Sequence, residues 1–450
     1  MRVRLVVVAV SLLVAGSARA DADGDELLGK LLARTAAVSR EVSKLRGLPL
    51  KHAIPNEIVD KDELRARLVK EASDRKTEAE MHAEGLALAR WGLIPLDTDY
   101  EQLIIDLLTE QIAGYYDPKT KRLSIARSSG DDADRAEMVL AHEIDHGLQD
   151  QSYDLQAFEK LPPGEDDASL ARDALVEGDG IAVMIEVAMS RVHRAPPWSD
   201  PEVANELTKA MDAPGAAGDT TNAAFDRAPL AVREAMLFPY RAGLGFVAAL
   251  RRRHAWTAID AAFQRPPRST EQILHPDLYL ADDRPIPVTA SVPPVLAGYA
   301  IAEATVWGEL GFDLFLRSHG VGELVASEAA AGWGGDRVIT LAPIANVATA
   351  RPEHAVGVAR FEWDSEVDAI EAYDAATRAL ADAVLGATVD HGYTQTIWLA
   401  LDGRFAWVER RGPSVVIAIG VPAWAEPALL DQIWTATGVA HASHAAHANK

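Results

Sequence analysis

Two histidines four residues apart constrain this chain more than any other feature. His142 and His146 lie in Ala136–Leu148, where apolar residues recur at helical spacing. Positions four apart on an α-helix differ by only about 40° around its axis, so both imidazoles leave the same face. Two ring nitrogens can then converge on one Zn²⁺, at roughly 2.1 Å each. The full motif is His-Glu-Ile-Asp-His, and Glu143 stands one step round the helix, in reach of a water on that ion. Zinc lowers the pKa of such a water to about 7, and the glutamate takes the proton as the water attacks a carbonyl. With 13 histidines in 450 residues, the pattern arises by chance in about two chains per hundred, so its surroundings must support it.

Composition narrows the ligands. The chain has no cysteine, which excludes disulfides, thiolate nucleophiles, iron–sulfur clusters and cysteine-held zinc. A metal must sit on His, Asp or Glu. The net charge of −23 argues against a nucleic-acid partner, because phosphate binding needs a basic surface. Met1–Ala20 has Arg2 and Arg4, an apolar run from Leu5 to Ala15, and Ala18-Arg19-Ala20 as a small-x-small cleavage site. We expect an export signal, a periplasmic or extracellular protein, and no membrane span after cleavage. Removing the segment takes away three arginines and no acid, so the mature chain is more acidic still.

The long motif HExxHxxGxxH is absent, because Gln149 and Ser152 stand where its glycine and third histidine belong. A carboxylate from a downstream helix is the remaining common third ligand. Glu177 lies in a mostly apolar stretch, Leu175–Val187, where an unpaired carboxylate is costly to bury and metal coordination removes the cost. Asp179 is its rival. Asp173, one turn before Glu177, is placed to accept a hydrogen bond from a ligand histidine. Gly178 and Gly180 weaken the helix but let it approach a neighbour closely.

Around this motif the pattern predicts an α+β chain that is predominantly helical. Helices are expected at Glu63–Ala89, Asp99–Gly114, Ala133–Asp150, Ser169–Val192, Pro229–Arg253, Trp256–Gln264 and Val295–Ser318. Tyr115–Ile125 reads as a hairpin around Asp117-Pro118-Lys119-Thr120. Pro196–Asp226 reads as an irregular excursion. Strands are expected at Arg337–Leu341, Ala355–Trp363, Thr394–Leu401, Phe405–Arg410 and Ser414–Val421, with helices at Asp364–Leu385 and Glu426–Thr437. The expected domains are a signal at 1–20, a helical domain at 21–320, an α+β module at 321–440 and a disordered tail at 441–450 holding His441, His444 and His447.

Taken together, HEIDHGLQDQSYDL, ALVEGDG, AGYYDPKTKRLSI, FPYRAGLGFV and RPPRSTEQILHP resemble a family of bacterial gluzincin-type zinc metallopeptidases, of the clan typified by thermolysin. The resemblance covers roughly residues 75 to 285, with a weaker echo in GWGGDR at 332–337. It implies a zincin-like catalytic domain, Zn²⁺ on His142, His146 and Glu177, Glu143 as general base, and a peptide or protein substrate. It departs at Ile181, where the clan's commonest pattern has an aspartate, so Asp173 or Asp179 is the expected hydrogen-bond support. The resemblance also implies an edge strand beside the metal that binds substrate backbone, at Tyr115–Asp117 or Leu123–Ala126. Tyr240 and His275 are its candidate oxyanion donors. Two other readings remain: a zinc-holding protein of the same fold that binds peptides or envelope components without cleaving them, and a structural helical protein with a chance motif. The sequence leaves the oligomeric state open.

Overall fold

The computed structural model describes residues 22–111, 114–127, 133–199, 223–253, 255–384 and 386–439. The expected signal segment, the tail with its three histidines and most of the 196–226 excursion lie outside the described residues. Two compact units emerge. One comprises residues up to Met81 together with Thr98–Asp283, and the other comprises His82–Asp97 with the chain from Arg284 onward. Mixed α+β architecture is observed. Among the described residues, no helix is long and apolar enough to cross a membrane.

The first unit is mainly helical. Its core gathers Leu28, Val38 and Val42 from two N-terminal helices, Ala22–Ala33 and Thr35–Arg46, with Leu140, Ile144 and Leu148 from the helix Ala133–Tyr153. Tyr116, Leu123 and Ile125 join them from the predicted hairpin, which forms from β2 (Gly114–Asp117) and β3 (Arg122–Ala126). A short strand that the sequence does not announce, β1 (Asn56–Val59), pairs parallel to β3, so the sheet order is β1-β3-β2. Four residues are too few to show a two-residue period. The expected helix at Glu63–Ala89 is two helices, Lys61–Arg75 and Glu78–Arg90. The break is a reciprocal cap: the Thr77 N–H donates to Glu80 Oε2 at 2.8 Å, and the Glu80 N–H donates to Thr77 Oγ1 at 3.2 Å.

The second unit is built on an antiparallel sheet of seven strands. Its order is β5 (Tyr299–Thr305), β6 (Trp333–Pro343), β7 (Val356–Trp363), β11 (Ser414–Pro422), β10 (Arg404–Arg411), β9 (Gln395–Ala400) and β8 (Gly386–His391). On one face Val356, Val358, Val416 and Trp407 meet Leu429 and Ile433 of the helix Glu426–Ala436. On the other, Phe361 and Trp363 meet Phe312 of the helix Gly308–Ser318. Both faces are covered, which is why Ser414–Pro422 is buried throughout and reads as an unbroken apolar run. Two further strands, β4 (Val288–Ala290) and β12 (Thr437–Val439), form a separate antiparallel pair.

The expected helix at Val295–Ser318 is corrected here. A 3₁₀ turn at Pro294–Leu296, the edge strand β5 and only then a helix replace it. Tyr299–Thr305 is alanine-rich and helix-prone, but pairing with β6 overrides that propensity. Gly308, at φ 72°, turns the chain into the helix. Asp336 on β6 holds that turn: its carboxylate accepts the Trp307 and Gly308 N–H groups and Trp333 Nε1–H, each at 2.9 Å. Burial pushes the Asp336 carboxyl up to about 6, against the pull of these donors. The folded state therefore holds this proton more tightly than the unfolded chain, so the group contributes stability at low pH that is lost as pH rises from about 4 through 6. In urea unfolding followed from pH 4 to pH 7, the stability of wild type relative to Asp336→Asn should fall by up to about 3 kcal/mol. A difference that does not vary with pH would contradict this.

Candidate metal centre

The helix Ala133–Tyr153 presents the HExxH residues inward, and they are fully enclosed. His142 is 3% exposed, and Glu143 and His146 are not exposed at all. The long helix Asp166–Arg191 crosses beside it and carries Glu177, itself 4% exposed. Close approach is built into the second helix. A Cβ on Gly180 would stand 2.7 Å from the His142 ring, so only a bare backbone lets that imidazole fit. On Gly178 a Cβ would stand 2.2 Å from the Gly243 carbonyl carbon, in the helix Leu230–Arg253. Glycine at both positions lets these two backbones touch.

The three expected ligands come together. His142 Nε2 lies 3.1 Å from Glu177 Oε2, His146 Nε2 lies 2.9 Å from His142 Nε2, and His146 Nε2 lies 3.6 Å from Glu177 Oε2. Ligand atoms about 2.1 Å from a tetrahedral ion stand about 3.4 Å apart, so these spacings fit one ion after shifts of a few tenths of an ångström. His146 is held for the task. Its Nδ1 lies 3.1 Å from Gln149 Oε1, an arrangement in which Nδ1–H donates and Nε2 keeps its lone pair for the cluster. Gln149 in turn donates Nε2–H to Asp145 Oδ2 at 2.8 Å, to the Val176 carbonyl at 3.2 Å and to Asp179 Oδ2 at 3.2 Å.

Glu143 is different. It is fully buried and no side chain donates to either carboxylate oxygen; the Tyr116 backbone N–H, too poorly aligned for a full hydrogen bond, is the donor that faces it. Burial, opposed by His146 and reinforced by Glu177, pushes its carboxyl up to about 8. Burial also works against charge on His146, but Glu177 and Glu143 outweigh it and raise the imidazole to about 10. At Glu177 the two histidines outweigh burial and hold the carboxyl at about 2. His142 is lowered, first by burial and then by His146. Positive charge among these donors is what the local field favours. A proton on His146 supplies some of it, and a divalent cation would supply more while giving Glu143 a charged neighbour. Two imidazoles and a carboxylate are a donor set suited to Zn²⁺.

The other candidates fall in different places. Asp179 is not among the three clustered ligand atoms. Its carboxylate accepts Arg46 Nε at 2.7 Å and 3.0 Å, and it reaches His146 only through Gln149. Asp173 is buried on the Glu177 helix. Tyr240 is buried in the helix Leu230–Arg253, and His275 is half-buried at the junction of two short helices, Thr270–Leu274 and Pro276–Ala281. Ser269, near the last candidate, caps the first of those helices by accepting the Gln272 N–H. Of the two candidate edge strands, β3 is paired on both sides, which removes Leu123–Ala126 as an open edge. β2 ends its sheet among the described residues, with Gly114, Tyr115 and Tyr116 buried, and a Cβ on Gly114 would stand 3.3 Å from Glu143 Cγ.

Gln149 was missed as a functional residue, although its place three positions after His146 puts both on one face of the helix. Arg46 was missed as well. It closes the helix Thr35–Arg46, is fully buried, and joins Asp179 to Asp260, which it meets at 2.8 Å. Its guanidinium also lies over Trp256, 4.4 Å from the ring centroid.

Fold and site define a helical unit with a buried two-histidine, one-carboxylate cluster, and a second unit built on an antiparallel sheet. The family model of DUF8575, a domain of unknown function, matches residues 298–431, within that second unit. No curated protein and no solved structure matches the chain.

Proposed function

We propose that this chain is an exported zinc-dependent metallopeptidase whose first unit is a zincin-like catalytic domain. The observation that carries the reading is the convergence of His142, His146 and Glu177 beside Glu143, a buried carboxylate to which no side chain donates. Bound Zn²⁺ would supply Lewis acidity, polarising a peptide carbonyl and making water a nucleophile near neutral pH. His142, His146 and Glu177 hold the ion, and Gln149 keeps the His146 ring in its orientation. Glu143 takes the proton of the attacking water and passes it to the leaving amine. β2, the end strand of its sheet among the described residues, runs beside Glu143 and is the proposed place for a peptide added as a further strand. Asp145 and Asp179 steady Gln149, while Tyr240 and His275 remain proposed oxyanion donors.

The near-complete burial of the cluster favours a second reading, a zinc-holding protein that binds peptides or envelope components without cleaving them. One experiment separates the two. The mature protein, with zinc, is incubated with a broad peptide library and the products are read by mass spectrometry. Cleavage that 1,10-phenanthroline abolishes and added zinc restores supports the peptidase. Stoichiometric zinc without cleavage supports the second reading.

A further inference from the structure

The second unit carries a cleft of about 450 Å³, within the range of small-molecule sites. Ile94, Leu380, Phe405 and Ile419 give it apolar walls. Leu96 and Leu401, which also line it, are 61% and 85% exposed and form an apolar lip. Two guanidiniums enter this apolar space. Arg404 donates to the Gly420 carbonyl at 2.6 Å, and Arg90 lies over the same glycine, where a Cβ would stand 2.7 Å from its NH1. Gly420 has φ 67° and no side chain, so it admits both arginines.

Neither arginine is held in a direct ion pair, although Asp402 and Glu353 lie near enough to Arg90 to favour its charge. Arg90 reaches only the Pro352 carbonyl, at 3.3 Å, and its buried Nε has no partner. Among the described residues no carboxylate forms an ion pair with either guanidinium. Asp402 lines the cleft but accepts the Arg404 backbone N–H at 3.0 Å, and Glu353 pairs with Arg351. Burial and then the charge of Arg404 hold Arg90 below its ordinary value, outweighing the opposing pull of Asp402 and Glu353. The remaining titratable wall residue is His319. Its Nδ1 faces the Phe315 carbonyl at 2.8 Å, and burial lowers it toward the neutral ring.

We infer that this cleft binds a small amphiphilic anion, its carboxylate or phosphate head between Arg90 and Arg404 and its apolar body along Phe405, Leu380 and the Leu96–Leu401 lip. Guanidinium forks match such heads bidentately, and an anion would relieve the repulsion between the two cations. The inference is independent of the metal centre.

Equilibrium binding of decanoate, dodecyl phosphate, decan-1-ol and acetate to the full chain tests it. Decanoate or dodecyl phosphate should bind saturably at one per chain, at least about tenfold tighter than the alcohol, with acetate weakest. The phosphate-to-carboxylate ratio identifies the preferred head. Arg90→Gln and Arg404→Gln should each weaken binding about tenfold or more at unchanged unfolding midpoint. If either variant fails to fold, the cysteine-free chain offers another measurement. An environment-sensitive dye on Leu401→Cys should respond to decanoate, whereas the same dye on Val192→Cys should not. Equal affinity for decanoate and decan-1-ol, no binding at 1 mM, an unweakened folded arginine variant, or a silent dye at position 401 would overturn the inference.

Discussion

Replacing Glu143 by glutamine should cut peptide cleavage by about 10²- to 10⁴-fold while leaving zinc content unchanged. Glu143 is near isosteric with its amide, and the carboxylate it loses accepts no side-chain hydrogen bond and faces only the Tyr116 backbone N–H, which the amide oxygen can still accept, so the fold and the ligand cluster have little to give up. The lost group is the one that moves the proton. Removing a buried carboxylate to which no side chain donates also removes a desolvation cost, so Glu143→Gln should unfold at the same or a higher temperature than wild type. That pairing of lost turnover with undiminished stability is what a residue kept for chemistry gives. A residue kept for structure gives the opposite, and unchanged cleavage by the variant would sink the assignment.

Arg46→Ala should be the most destabilising single change in the first unit, by about 3–5 kcal/mol. The side chain is wholly buried with Asp179, and its other arm holds Asp260. Truncation leaves Asp179 enclosed beside Asp145 without its guanidinium partner, and His146 is then the cation left acting on Asp145. Arg46 is held well above its ordinary pKa, where burial is outweighed by Asp179 and Asp145. The damage should spread to the metal centre, because Gln149 rests on Asp145 and Asp179 and sets the ring of His146. Zinc affinity should therefore fall by about 10- to 100-fold, the usual effect of removing support behind a ligand histidine. Pairing Arg46→Met with Asp179→Leu should recover much of the stability, since an apolar pair avoids the uncompensated charge. Denaturant unfolding of the single and double variants measures this, and additive losses would contradict it.

Most of the local signals are legible in the sequence, and most of the non-local ones are not. The HExxH helix and the Glu177 helix announce themselves because their apolar periods are long, and the hairpin does so through Asp-Pro at its turn. Their convergence could be anticipated from chemistry, since a carboxylate in an apolar helix needs a partner. The strand at Tyr299–Thr305 was lost because alanine-rich residues favour a helix until a neighbouring strand pairs with them. The break at Thr77 was legible in Thr-x-x-Glu but was passed over within a long charged segment. Nothing in the sequence ties Arg46 to Asp179, 133 residues away, or assigns residues 82–97 to the unit that resumes at Arg284. Those pairings exist only once the chain has closed on itself.

The central claim is that His142, His146 and Glu177 together hold one zinc ion, and elemental analysis tests it most directly. Protein purified without chelators should carry about one zinc per chain, as should Glu143→Gln, whereas His146→Ala and Glu177→Ala should carry almost none while remaining folded by circular dichroism. Wild-type protein without zinc, or a folded Glu177→Ala variant that keeps it in full, would contradict the account.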